Sequence, residues 1–260
     1  MRDNMQSAFF SNKNVLISGA AGGIGLAISQ AFHRLGAHTV MLDSSAEKLQ
    51  KAASTFSLDR ERITEVSLDV RDFARCQEAL GRLCQRIGPI DILINNAGIS
   101  PKHNGQPAHF YQMSPQEWQQ VVDVNLHGTF NLSRLVSPDM VSRRFGRIIN
   151  LSSVAGGAYL PIVAAHYSTT KAAITGFTRH LAGELGKHNI TVNALAPGRI
   201  ETPMVRSVSD EYNNAIIKET PLQRLGKPEE VAEAAIYLAS DSASFITGQV
   251  LDISGGWLMR

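Results

Sequence analysis

Tyr167 and Lys171 stand four residues apart in the stretch HYSTTKAA, residues 166–173. Four residues is the spacing at which helical side chains share a face, with Cβ atoms about 5–6 Å apart. The apolar positions Ala173, Ile174, Phe177, Leu181 and Leu185 recur with helical period, so the segment reads as an amphipathic helix with phenol and ammonium side by side. A cation beside a phenol favours the phenolate, which is what a proton-exchanging tyrosine needs. Such pairs also occur on solvated helices, so the elements around this one must decide what it does.

Those elements alternate. Short β-branched runs at 15–18, 39–42, 63–70, 91–96, 147–153, 190–197 and 249–253 are separated by segments of helical length at 23–36, 45–56, 72–87, 114–143, 167–187 and 228–240. Continuous apolar strands between helices predict an α/β, doubly wound Rossmann-type fold: a parallel sheet of about seven strands with helices on both faces. At 260 residues one such domain accounts for the chain, with 1–12 expected to be a poorly structured extension and Met5 an alternative start. Stretches 99–113 and 199–222 resist assignment, yet both follow strands at their carboxyl ends, where open α/β sheets bind ligands.

Composition narrows the function classes. A net charge of +2 with no block of like charges gives nucleic-acid binding no electrostatic footing. No apolar run approaches the ~18 residues of a transmembrane helix, so no membrane partner and a cytoplasmic location are expected. Cys76 and Cys84 lack metal or redox spacing, and His103, His109, His127 and His166 form no close pair with a carboxylate at helical spacing; no metal is expected.

The first strand runs into SGAAGGIG, which places Gly19, Gly23 and Gly25 in the spacing G-x-x-x-G-x-G. A tight turn, close backbone approach to a pyrophosphate, and a helix N-terminus facing the anion are what such a loop supplies. About twenty residues on, Asp43 ends TVMLD, where a carboxylate accepts the hydroxyls of an adenosine ribose and repels a 2′-phosphate. With Gly22 and Ser44 as neighbours no local cation can hold that phosphate, so NAD is expected over NADP. The bland alternative is that Asp43 caps the next helix, a task open equally to Ser44 or Ser45.

With SGAAGGIG, NNAG (95–98), INLSSVAG (149–156), YSTTK (167–171) and APGRIET (196–202) in order, the chain resembles the short-chain dehydrogenase/reductase family over nearly its whole length. The resemblance implies Tyr167 as general acid/base, Lys171 as its electrostatic partner on the nicotinamide ribose, Ser153 as donor to the substrate oxygen, and Asn125 as holder of a water linking Lys171 to solvent. It implies a cofactor site of Gly19, Gly23, Ile24, Gly25, Asp43, Asp69, Val70, Asn95, Ala97, Gly98, Tyr167, Lys171, Pro197, Gly198, Ile200 and Thr202. Within it Asp69 takes the adenine amine, Asn95 and Gly98 line the adenosine ribose, and Ile200 and Thr202 take the carboxamide. Ser18 stands where threonine is usual, and Ser153 lies fourteen residues before Tyr167, one more than in many relatives.

The chemistry implied is interconversion of a secondary alcohol and a ketone with NAD. At an effective dielectric of about 20, a unit positive charge about 5 Å away favours a phenolate by roughly 3 kcal/mol, about 2 pK units, so Lys171 is expected to bring Tyr167 towards about 8. The alternative within the enzyme class is a 3-oxoacyl-carrier-protein reductase, whose carrier docks on basic residues near the pocket mouth; Arg144 matches one and Lys187 and His188 lie near the other. A nucleotide-sensing regulator without turnover is disfavoured, because all four catalytic positions are filled. A small alcohol or ketone is the expected substrate. A homo-oligomer, dimer or tetramer, is implied, with Phe177 and the C-terminal ISGGWLMR at subunit contacts and Trp118 and Phe130 as packing residues.

Overall fold

The computed structural model describes residues 9–56, 59–206 and 210–259. Seven strands, β1 (Asn14–Ser18), β2 (His38–Asp43), β3 (Ile63–Ser67), β4 (Ile92–Asn95), β5 (Gly146–Leu151), β6 (Ile190–Pro197) and β7 (Val250–Ile253), form one parallel sheet in the order β3-β2-β1-β4-β5-β6-β7. The central strands are mostly apolar, and β4, β5 and β6 are buried along their whole length, because both faces are covered. Val15 and Ile17 face a core built with α1 (Gly23–Arg34), α2 (Ala46–Ala53) and α9 (Pro228–Ala239). Leu16, pointing the other way, joins a second core with α3 (Phe73–Ile87), α5 (Gly128–Arg143) and α6 (Ala165–Leu185).

Most expected boundaries shift by one to three residues, and three expectations change. The helix anticipated over 114–143 is α4 (Pro115–Val122), a wide π-type turn over Asp123–His127, and then α5. The stretch 199–222 contains α7 (Pro203–Arg206) and α8 (Asp210–Glu219). Phe10, placed by sequence in a loose extension, is buried: its ring lies 5.0 Å from that of Phe32 and its N–H donates to Leu35 O. A large ring beside α1 gains more from burial than a short terminus loses by ordering. Residues 1–8, Met5 among them, lie outside the described residues.

At the amino end of the sheet a polar fastener joins β1 to β4. Asn14 N–H donates to Asp91 Oδ2 (2.9 Å), Asn14 Nδ2 donates to the carbonyls of Ile87 and Pro89, and Arg143 holds Asp91 Oδ1 at 2.7 Å. The carboxyl ends of the strands open on the other side, where SGAAGGIG follows β1, Asp43 ends β2, and NNAG, Ser153 and APGRIET fall at the ends of β4, β5 and β6.

Candidate active site

The glycine loop is fixed by the strand beside it. Gly19 has φ +64°, and a Cβ there would lie 2.9 Å from both Ala97 Cα and Asn96 Nδ2. A Cβ on Gly25 would meet Gly19 O at 2.1 Å, so no side chain fits where α1 begins under the turn. Asn96, which sequence reasoning passed over, donates from Nδ2 to Ser18 O and Gly19 O, while Ser18 Oγ accepts from the N–H groups of Asn96 and Ala97, each at 3.1 Å. Serine therefore does what the usual threonine hydroxyl would. Gly23 begins α1 and Ile24 packs partly buried behind it; no acidic residue sits in the first turn, and Thr202 Cγ2 closes over the loop. This is a cradle with free room above an electropositive helix end, which fits a dinucleotide pyrophosphate.

Asp43 stands half-buried at the end of β2 with Oδ2 accepting from Ala21 N–H (3.3 Å) and Oδ1 from Ser45 N–H (3.1 Å). Ser45, by accepting from Lys48 N–H, caps α2, so that task does not fall to Asp43. Its carboxylate borders the glycine loop.

Two expectations need correction, those for the Asn95 side chain and for the histidines. Asn95 does not line the cofactor groove: it is buried, with Nδ2 donating to Ser133 Oγ (3.0 Å) and Asn150 Oδ1 (2.8 Å). Strand alternation signals this, since Ile92 and Ile94 face the α1 core and Leu93 the other, so Asn95 follows Leu93. Asp69 is held at both oxygens by Arg71, at 2.6–3.0 Å, and this guanidinium holds its carboxyl below the usual range. Val70 is wedged against Gly128 and its carbonyl accepts from Asn131. Histidines do find carboxylates: His127 lies 2.9 Å from Asp123 at helical spacing, and His103 and the fully buried His166 both meet Glu117. Among the described residues no three His, Cys, Asp or Glu side chains could hold a metal ion.

The wide turn that interrupts the long helix puts Asn125 inside. Its Oδ1 accepts from Ile99 N–H (2.8 Å), and Nδ2 donates to Ile99 O (3.1 Å) and Thr170 Oγ1 (3.2 Å). Both amide hydrogens are thus used, and the side chain ties Ile99 to α6. Gly98 passes between them, for a Cβ there would lie 3.4 Å from Asn125 Oδ1 and 3.6 Å from Lys171 Nζ. Lys171 is buried and donates to Leu151 O at 2.6 Å, with its Nζ 5.6 Å from the Tyr167 ring centroid. Ser153 follows β5, accepts from Ala155 N–H, and is close enough to the Tyr167 phenol to offset part of its desolvation, so the fourteen-residue spacing still delivers it.

Burial overrides the expected pull of Lys171 on Tyr167. Desolvation pushes the phenol above its ordinary pKa, Ser153 offsets part of the rise, and Lys171 itself is pressed down to about 8. Pro197 ends β6 and Gly198 follows it, with Gly198 N–H donating to Ile253 O and its Cα too close to Ser254 for a side chain. Ile200 turns its side chain into the α1 core, offering only backbone to the groove, while Thr202 remains half-exposed above Gly23.

The order and geometry of these parts match known proteins. A family model described as enoyl-(acyl carrier protein) reductase matches residues 19–258. The chain is 39% identical over 244 residues to the 3-oxoacyl-[acyl-carrier-protein] reductase FabG of Thermotoga maritima, covering 94% of this chain and 97% of that one. The chain is a member of the short-chain dehydrogenase/reductase family. This dehydrogenase/reductase is also 39% identical over 254 residues to the oxidoreductase UcpA of Salmonella typhimurium, covering 95% and 94% of the two chains. Its structure superposes on a 3-oxoacyl-[acyl-carrier protein] reductase with bound NAD from Brucella melitensis with a TM-score of 0.91 and 44% identity, over 99% and 96% of the chains. It is therefore an enzyme, an oxidoreductase of Rossmann-type fold, and among its described residues no helix is long and apolar enough to cross a membrane.

Proposed function

We propose that this enzyme reduces the ketone of a 3-oxoacyl substrate to a secondary alcohol with NADH. The observation that carries the reading is the convergence of Ser153, Tyr167 and Lys171 beside the glycine cradle. Relatives named for 3-oxoacyl reduction favour this over the general alcohol oxidation expected from sequence. When bound, the nicotinamide supplies or removes hydride. Ser153 and Tyr167 donate hydrogen bonds to the ketone oxygen, so charge developing there is met by prearranged donors. Tyr167 then gives its proton to that oxygen, and the Lys171 cation stabilises the phenolate left behind. Asp43 favours an unphosphorylated ribose, and the enzyme bound to NAD in the relative agrees with that choice. A cytoplasmic, homo-oligomeric protein acting on a small molecule completes the reading.

Carrier docking gains less support. Arg144, hydrogen-bonded to Lys187 O, precedes β5, whereas Ser153 follows it, so about 20 Å of strand separates the basic pair from the site within one chain. The test is steady-state reduction of acetoacetyl-CoA with NADH and NADPH, on wild type, Tyr167→Phe and the Asp43→Ala/Ser44→Arg double variant. Wild type should turn over and prefer NADH by about a hundredfold in kcat/KM, Tyr167→Phe should lose more than about 90% of kcat, and the double variant should lose the cofactor preference. Oxidation of simple secondary alcohols without any 3-oxoacyl reduction would overturn the reading.

A further inference from the structure

Arg71 grips one carboxylate with its backbone and its side chain together. Its N–H donates to Asp69 Oδ1 at 3.0 Å, its Nε lies 3.0 and 2.9 Å from Oδ1 and Oδ2, and its Nη2 donates to Oδ2 at 2.6 Å. The two side chains are 47% and 37% exposed, and an ion pair in contact with water adds little to folding stability. What a guanidinium held at both carboxylate oxygens does fix is direction. The hydrogens on N, Nε and Nη2 take three of the roughly four acceptor sites of an ionised carboxylate. One site remains, and Asp69 is not free to rotate and offer another.

Contacts place this pair beside Asp43 and the glycine loop. Asp43 is in register with Ser67 across β2 and β3, and Leu68 N–H donates to Asp43 O at 2.9 Å, so Asp69 follows one Cα step from that bond. Asp43 in turn meets the loop through Ala21 N–H at 3.3 Å. On the other side Val70 is wedged against Gly128, and Asn131 Nδ2 donates to the carbonyls of Val70 (2.8 Å) and Arg71 (3.3 Å), which anchors the backbone of both to α5. The carboxylate is therefore held on a fixed stretch of chain, next to the acid expected on the adenosine ribose. Hydrogen bonding to Arg71 also keeps its carboxyl below the usual range, so it is an ionised acceptor at neutral pH.

We propose that Arg71 is a positioning residue of the cofactor site, leaving Asp69 a single acceptor that selects the 6-amino group of adenine. The proposal rests on the NAD binding read above and makes Arg71 a determinant of base selectivity. An amine donates to the remaining acceptor. A base with a 6-oxo group brings a second acceptor against the carboxylate and is rejected.

Calorimetry without substrate tests this, with NAD⁺ and nicotinamide hypoxanthine dinucleotide, which carries 6-oxo in place of the amine, as paired probes. Wild type should bind NAD⁺ about thirtyfold more tightly than the hypoxanthine form, as one charge-assisted hydrogen bond supplies. Arg71→Ala should cut that preference to about threefold, and Arg71→Lys, which keeps the charge but not the fork, should recover little of it. Asp69→Asn, whose amide can donate to a 6-oxo group, should abolish or reverse the preference. Equal binding of the two dinucleotides by wild type would overturn the proposal. So would an Arg71→Ala or Arg71→Lys protein that keeps full selectivity, or one that loses affinity for both forms by the same factor, as a merely structural role requires. Selectivity that depends on Arg71, in an enzyme that reduces no 3-oxoacyl substrate, would uphold the proposal and overturn the reaction proposed above.

Discussion

Among the residues of the site Lys171 titrates nearest neutrality. Its ammonium is pressed down to about 8 by burial, while Tyr167 is pushed up and stays protonated through the same range. The group lost first as pH rises is therefore the lysine cation, not the phenol proton. Ketone reduction needs both the phenol as donor and the cation as support for the phenolate, so kcat/KM for reduction should be level below about pH 7 and fall through about 8. Lys171→Arg, whose charge persists beyond pH 12, should lower the rate at pH 7 yet carry the fall to higher pH. A wild-type profile flat from about 7 to 9.5, with hydride transfer limiting, would sink this account. The same residues show where sequence reading stops: spacing put Tyr167 beside Lys171, but only burial, a property of the folded chain, pushes the phenol up and the ammonium down.

The glycine loop, the strands and the Tyr167 helix were legible because each rests on a local rule: a glycine-rich turn after β1, short apolar β-branched runs, helical period in α6, whereas the inward side of Asn95 showed only through the alternation of β4. The Asp123–His127 turn was not, since a π-type turn leaves the apolar pattern of its helix nearly intact and shows itself only when Asn125 turns inward. Equally hidden was the tie from α4 to α6 and segment 99–113, where Glu117 holds buried His166 at 2.9 Å and exposed His103 at 2.8 Å. Because His166 precedes Tyr167, this tie fixes the start of the catalytic helix. Glu117→Gln should lower stability by about 1–3 kcal/mol, read as a drop in Tm at pH 7. Hydrogen bonding to His166 and then to His103 lowers the folded pKa of Glu117, so its contribution is present above the unfolded value of about 4.3 and vanishes as pH falls through the lower folded value. The Tm gap between wild type and Glu117→Gln should accordingly narrow below about pH 4; a gap independent of pH would assign the loss to packing alone.

For the molecule as a whole, Phe130 on α5 is 47% exposed and its ring lies 6.5 Å from that of Phe177 on α6, an aromatic pair facing outward on neighbouring helices. Pairing this face with its copy would remove the apolar surface from water, so sedimentation should give a mass above the 28.2 kDa of one chain, and Phe130→Asp/Phe177→Asp should shift it towards that value. A wild type that sediments as a single chain at micromolar concentration would exclude this face as an interface. The strand order carries a consequence for synthesis. β1 is an interior strand between β2 and β4, yet β4 is translated more than seventy residues later, and the Asn14 fastener waits on Asp91 in the same way. While β1, β2 and β3 emerge from the ribosome they can pair among themselves, but Val15, Leu16 and Ile17 keep an open hydrogen-bonding edge until residues 92–95 arrive. From β4 onward each new strand closes the edge left by the one before it. Elongation speed between β1 and β4 should therefore influence the yield of folded enzyme more than speed anywhere later in the chain.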